Sequence, residues 1–139
     1  MQSKKFGSKY VVRLDKGEEI VETLKKFCRQ NNIRLGSVIG IGAVGNIVLG
    51  LFETKTKVYH KKTLEGDFEI VPLVGNITTM KGETYIHLHI NIGDSQQKSW
   101  SGHLNSAIVS ATCEIIIDSI DGEVDRKFSE EIGLNLLEF

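Results

Sequence analysis

The chain has 139 residues, 40% of them hydrophobic and 25% charged, with a formal net charge of −1. That composition excludes a wholly disordered chain, and it lacks the basic excess on which dedicated DNA-binding domains usually rely. No apolar run approaches the roughly 20 residues of a membrane span, and the two cysteines form neither a disulfide framework nor a metal-spaced pair.

The length suits one domain spanning residues 1–139. Met1–Tyr10 is polar and lacks the apolar stretch of a secretory signal, so the expected location is cytoplasmic. Lys9–Leu14 reads as a short strand. Asp15 and Glu18 have capping-box spacing, which predicts a helix with Asp15 as its N-cap. Ile20, Leu24, Phe27, Cys28 and Asn31 then share one helical face, opposite Glu22, Lys25, Lys26 and Arg29. Beyond Asn32 the pattern is mostly β. Leu35–Ile41 and Asn46–Glu53 read as two segments joined by Gly42–Gly45, and Lys57–Leu64 alternates weakly. Phe68–Thr79 is long and apolar, with a bulge expected at Pro72. Lys81-Gly82 reads as a turn, and Thr84–Ile92 and Ile108–Asp118 as strands. Asp121-Gly122 predicts a hairpin turn into Val124–Phe128, and Ile132–Phe139 is open between strand and turn. One helix and six or seven β segments imply an α+β fold with a mainly antiparallel sheet.

Gly40-Ile-Gly42-Ala-Val-Gly45 matches the G-x-G-x-x-G pattern of dinucleotide sites. Such a site needs a helix to open within it, and the β-branched Asn46–Glu53 segment predicts none. The glycines therefore read as a tight connection or a close backbone contact. Cys28 and Cys113 lie among apolar neighbours and read as buried hydrophobes. Lys4-Lys5, Lys25-Lys26 and Lys61-Lys62 read as short solvated clusters.

Tyr85-Ile-His87-Leu-His89-Ile-Asn-Ile92 alternates with period two, which puts His87 and His89 on one strand face with Cα atoms about 6.6 Å apart. His103 follows in Ser101-Gly102-His103-Leu104, and a chain that folds back would bring it to the same face. Three neutral imidazoles with one open position make a zinc-type site, although another divalent transition metal would also bind. His60 shows no such partners. A serine triad from Ser99 or Ser101, His103 and Asp94 lacks a nucleophile elbow.

Ile41-Gly42-Ala43-Val44, Leu49–Glu53, Leu64–Ile70, Leu73–Ile77, His87-Leu-His89 and Ser101-Gly102-His103-Leu104, with Val109 and Thr112–Ile115, together resemble the PPC domain, the plants and prokaryotes conserved domain. The resemblance covers essentially the whole chain. It implies an antiparallel sheet with a flanking helix, assembled as a homotrimer. It also implies a DNA-binding or regulatory module, since plant members are nuclear DNA-binding regulators and prokaryotic ones are labelled by that analogy. Some members resemble metal proteins that hold zinc through three histidines matching His87, His89 and His103. The chain has no Arg-Gly-Arg-Pro core of an AT-hook, and Asp67 stands where the plant stretch has arginine.

The first functional expectation is thus a homotrimeric binding module with DNA as a partner and a three-histidine zinc site. A surplus of apolar strand residues, including Phe68, Ile70, Leu73, Val74 and Ile77 beside Ile115, Ile116 and Ile117, also favours the trimer. The alternative is a zinc-dependent enzyme that uses a histidine-bound water, with Glu53, Glu65 or Glu69 as the base. Its substrate is not legible in the residues.

Overall fold

A computed structural model describes the chain from Met1 to Phe139. Its elements are β1 (Gln2–Phe6), β2 (Lys9–Asp15), α1 (Ile20–Gln30), β3 (Gly36–Glu53), β4 (Val58–Met80), β5 (Glu83–Gly93), β6 (Ser99–Ser119), β7 (Asp125–Ser129) and β8 (Leu134–Glu138). Six strands form an antiparallel sheet in the order β1-β2-β6-β3-β4-β5. β6 also pairs with β5, through His89↔His103 to Gly93↔Ser99. From His103 onward β6 pairs instead with β3. β3, β4, β5 and β6 thereby close on themselves, and His103 sits at the closure, opposite both Gly50 and His89. The expected α+β fold, a mainly antiparallel sheet with one flanking helix, is the one observed.

The core follows from the alternation. Leu88, Ile90 and Ile92 of β5, Leu73 and Ile77 of β4, and Ile115 and Ile117 of β6 point inward and are buried. Helix α1 closes the core with the apolar stripe Ile20, Leu24, Phe27 and Cys28. Cys113 is buried with them, so both cysteines are packing residues. Burial pushes each thiol up to about 12. No helix is long and apolar enough to cross a membrane.

Several expectations change in detail. The helix begins later than the capping-box spacing suggests. Its N-cap is Glu19, whose carboxylate accepts from the amides of Val21 (3.1 Å) and Glu22 (2.6 Å). Asp15 instead ends β2, and its amide donates to the Glu18 carboxylate at 2.7 Å. Half of the reciprocal box is present, but it ties a turn between strand and helix. The exposed edge strand β1 leaves no mark in the sequence pattern, because its polar residues carry no apolar alternation.

The two β segments either side of Gly42–Gly45 fuse into β3, with irregularities at Gly40/Gly42 and Val44/Asn46. No helix opens there. Gly42 has φ +146°, and a Cβ on it would lie 2.3 Å from the Thr112 carbonyl oxygen, so the glycine permits close approach of β3 to β6. β4 likewise joins Lys57–Leu64 to Phe68–Thr79, and its pairing with β5 is irregular between Ile70 and Leu73, around Pro72. β6 starts at Ser99 rather than Ile108. The Asp121-Gly122 turn does not return the chain onto β6, because β2 and β3 already occupy both of its edges. β7 pairs with β8 instead, and the Thr79 amide on β4 donates to the Val124 carbonyl at 3.1 Å.

Candidate metal centre

Strand β5 presents Ile86, Leu88, Ile90 and Ile92 to the core, which turns Tyr85, His87, His89 and Asn91 to the opposite face. His103 is the direct cross-strand partner of His89 and therefore points the same way. One potential ligand nitrogen from each of His87, His89 and His103 lies within 4.8 Å of the other two. The ring centroids are 5.1 Å apart for His87–His89, 5.1 Å for His87–His103 and 5.7 Å for His89–His103. Zinc–nitrogen bonds of about 2.05 Å in tetrahedral geometry set imidazole centroids roughly 5.2 Å apart. The three rings thus have the spacing of a tetrahedral set with one place open.

Burial favours the neutral ring at His87 and His103. Burial holds His87 far below the usual imidazole range, at about 4, with added opposition from His103, Arg126 and His89. His103 is lowered by burial first and by His89 second. A neutral imidazole is the form that ligates a metal, so the environment of His87 and His103 holds both in the ligating form.

The backbone around the cluster is tightly drawn. Asn76 of β4 stands opposite His87, and Val74 opposite His89. Gly75, between them, has no room for a side chain: a Cβ would lie 2.0 Å from the His87 carbonyl oxygen. Tyr59 packs edge-on to His103 at 6.3 Å between centroids, and its hydroxyl accepts from the Asn105 amide at 2.8 Å.

The other candidates lie elsewhere. His60 is exposed and meets the Glu53 carboxylate at 3.1 Å, outside the cluster. Glu65 and Glu69 are exposed on β4 and do not join the cluster either. Asp94 accepts from the amides of Gln96 and Lys98, both at 2.9 Å, and so shapes its own loop rather than a serine triad.

The family model of the Plants and Prokaryotes Conserved (PCC) domain matches residues 1–121. The chain belongs to this family. A crystal structure of a candidate DNA-binding protein from Bacteroides thetaiotaomicron is 39% identical, with a TM-score of 0.97 over 99% of this chain and 96% of that one. A metal-containing protein from Archaeoglobus fulgidus is 32% identical, with a TM-score of 0.90 over 97% of this chain and 96% of that one. A curated relative, the bifunctional protein GlmU of a Synechococcus strain, is 29% identical over 121 residues, 85% of this chain. The chain spans less than a fifth of the length of the curated relatives it matches, 18% and 16%.

One further residue beside the histidines lies beyond the stretch that the family model matches. Arg126 of β7 is only 7% exposed. Its Nε donates to Thr78 Oγ1 (2.9 Å), its Nη2 to Asn76 Oδ1 (2.9 Å) and its Nη1 to the Asn135 carbonyl (2.8 Å). The guanidinium also sits 4.8 Å from the centroid of the Tyr85 ring. Nothing in local spacing singles out Arg126, a lone arginine in a polar stretch. Its place beside the histidine face depends on how the β7–β8 hairpin crosses β4.

Proposed function

We propose that this PCC-domain protein, a single domain over residues 1–139, is a metal-binding module that holds one zinc or similar divalent transition metal per subunit through His87, His89 and His103. The observation that carries this is the convergence of three imidazole nitrogens within 4.8 Å, with no cysteine or carboxylate in the set. An all-nitrogen set suits zinc, and nickel, copper or iron would also be held. The likeness to the metal-containing Archaeoglobus protein supports metal use. When bound, the metal supplies a Lewis-acid centre with one position open to a further ligand.

The module is a homotrimer in this reading. Val11, Ile116, Ile39 and Val74 stand in register across β2, β6, β3 and β4, and all four are exposed. That row continues onto His89, so a self-association surface would border the histidines. Such a contiguous apolar stripe calls for cover. Phe68, Ile70, Leu73 and Ile77, by contrast, are used within the subunit.

DNA as a partner is a second reading, supported by the likeness to the candidate DNA-binding protein from Bacteroides. Binding to random duplex that weakens steeply with salt would support it, and no shift at low salt would refute it. The enzyme alternative has less support, because Glu53, Glu65 and Glu69 stay outside the cluster. The cytoplasm remains the location of this reading, in keeping with two free, buried cysteines.

The test uses protein purified without added metal. Elemental analysis should find close to one transition metal per chain. His87→Ala, His89→Ala and His103→Ala should each lose most of it, and His60→Ala should keep it. Equal metal in all five proteins would refute the site. Light scattering on the same preparation should give three chain masses, and a concentration-independent monomer would refute the trimer.

A further inference from the structure

The charge around the histidine cluster does not balance. Three neutral imidazoles leave a divalent ion with its full charge. Asn76, Tyr85, Asn91, Ser101 and Asn105 accompany them on neighbouring positions, and none is acidic. Arg126 adds a buried cation beside them. All three of its hydrogen bonds go to uncharged oxygens, on Thr78, Asn76 and Asn135. Asn76, which receives Nη2, is the residue directly across from His87. Buried charge without a counterion is costly, and proteins ordinarily pair it.

We propose that the site takes a small carboxylate ligand, bound at the open metal position and balanced by the guanidinium of Arg126. This rests on the metal-binding reading above. A guanidinium has five N–H donors, and three are used, which leaves one on each terminal nitrogen. Two donors in one plane match the two oxygens of a carboxylate. The Tyr85 ring against the guanidinium and the Thr78 bond hold that plane in place, so little order is lost on binding. The hairpin that carries Arg126 lies outside the residues matched by the family model.

The experiment uses the full chain loaded with cobalt(II), whose visible spectrum reports the ligand at an open position. Cobalt content is measured first, and acetate, acetamide and inorganic phosphate are then titrated. Acetate should change the spectrum with saturation, while the neutral acetamide should not. Arg126→Gln should keep its cobalt and bind acetate at least tenfold more weakly. Arg126→Lys should fall between the two. Failure to take up cobalt would overturn the metal reading. Full cobalt with a spectrum blind to acetate would overturn the carboxylate proposal alone, without any variant. Equal acetate affinity in wild type and Arg126→Gln would also overturn it, leaving Arg126 as a clamp for the hairpin. Tighter binding of phosphate than of acetate would overturn the assignment to carboxylates.

Discussion

Replacing Glu19 with alanine should remove three hydrogen bonds at once. Its carboxylate accepts from the amides of Val21 and Glu22 at the start of α1, and from the amide of Ala107 on β6 at 3.0 Å. The first two are the N-cap, whose loss costs about 1 kcal/mol. The third fixes the helix to the sheet. Ala107 is 0% exposed, so its N–H would be left without a partner at a cost of roughly 1–3 kcal/mol. The two effects share one side chain, and together they predict a loss of about 2–4 kcal/mol. Urea unfolding at a fixed protein concentration measures it from the midpoint and slope, and fixed concentration is needed because the proposed trimer would tie stability to concentration. Asp15→Ala is the matched control. Its carboxylate meets only the chain's terminal amine and Arg13 at the surface, so its midpoint should stay near that of wild type. A midpoint for Glu19→Ala indistinguishable from that of Asp15→Ala would refute this assignment of the cap.

Gly75→Ala should destabilise the fold by at least about 2 kcal/mol and lower metal content, because the new Cβ would meet the His87 carbonyl oxygen at 2.0 Å and force β4 from β5; unchanged urea midpoint and metal content would contradict this. Cys28 and Cys113, each pushed up to about 12 by burial, should react with a thiol reagent at pH 8 only after denaturant is added. At that pH the thiolate fraction is on the order of one in ten thousand, so rapid labelling of the native protein would show an open core.

The sequence carries the local features well. Period-two alternation over Tyr85–Ile92 is a property of neighbouring residues, and it puts His87 and His89 on one face whatever strand pairs beside them. The buried stripe of α1 follows in the same way from 3.6-residue spacing. Boundaries were less legible. The spacing of Asp15 and Glu18 pointed to a cap at Asp15, whereas the cap is Glu19, which the Ala107 amide on β6 also engages. Glycine-rich segments such as Gly40–Gly45 suggested a break, whereas the backbone of β6 holds them in one strand.

What the chain determined alone, then, is the α+β class, the core-facing residues and the shared direction of His87 and His89. The tertiary structure decided which distant residues meet them. His103 joins because β6 passes from β3 to β5 at that residue, a register set by closure of four strands. Arg126 arrives because β6 has no free edge, so the last hairpin must cross to β4. Both depend on contacts between segments far apart in the chain, and no local periodicity encodes the register of a strand against a partner it meets only on folding.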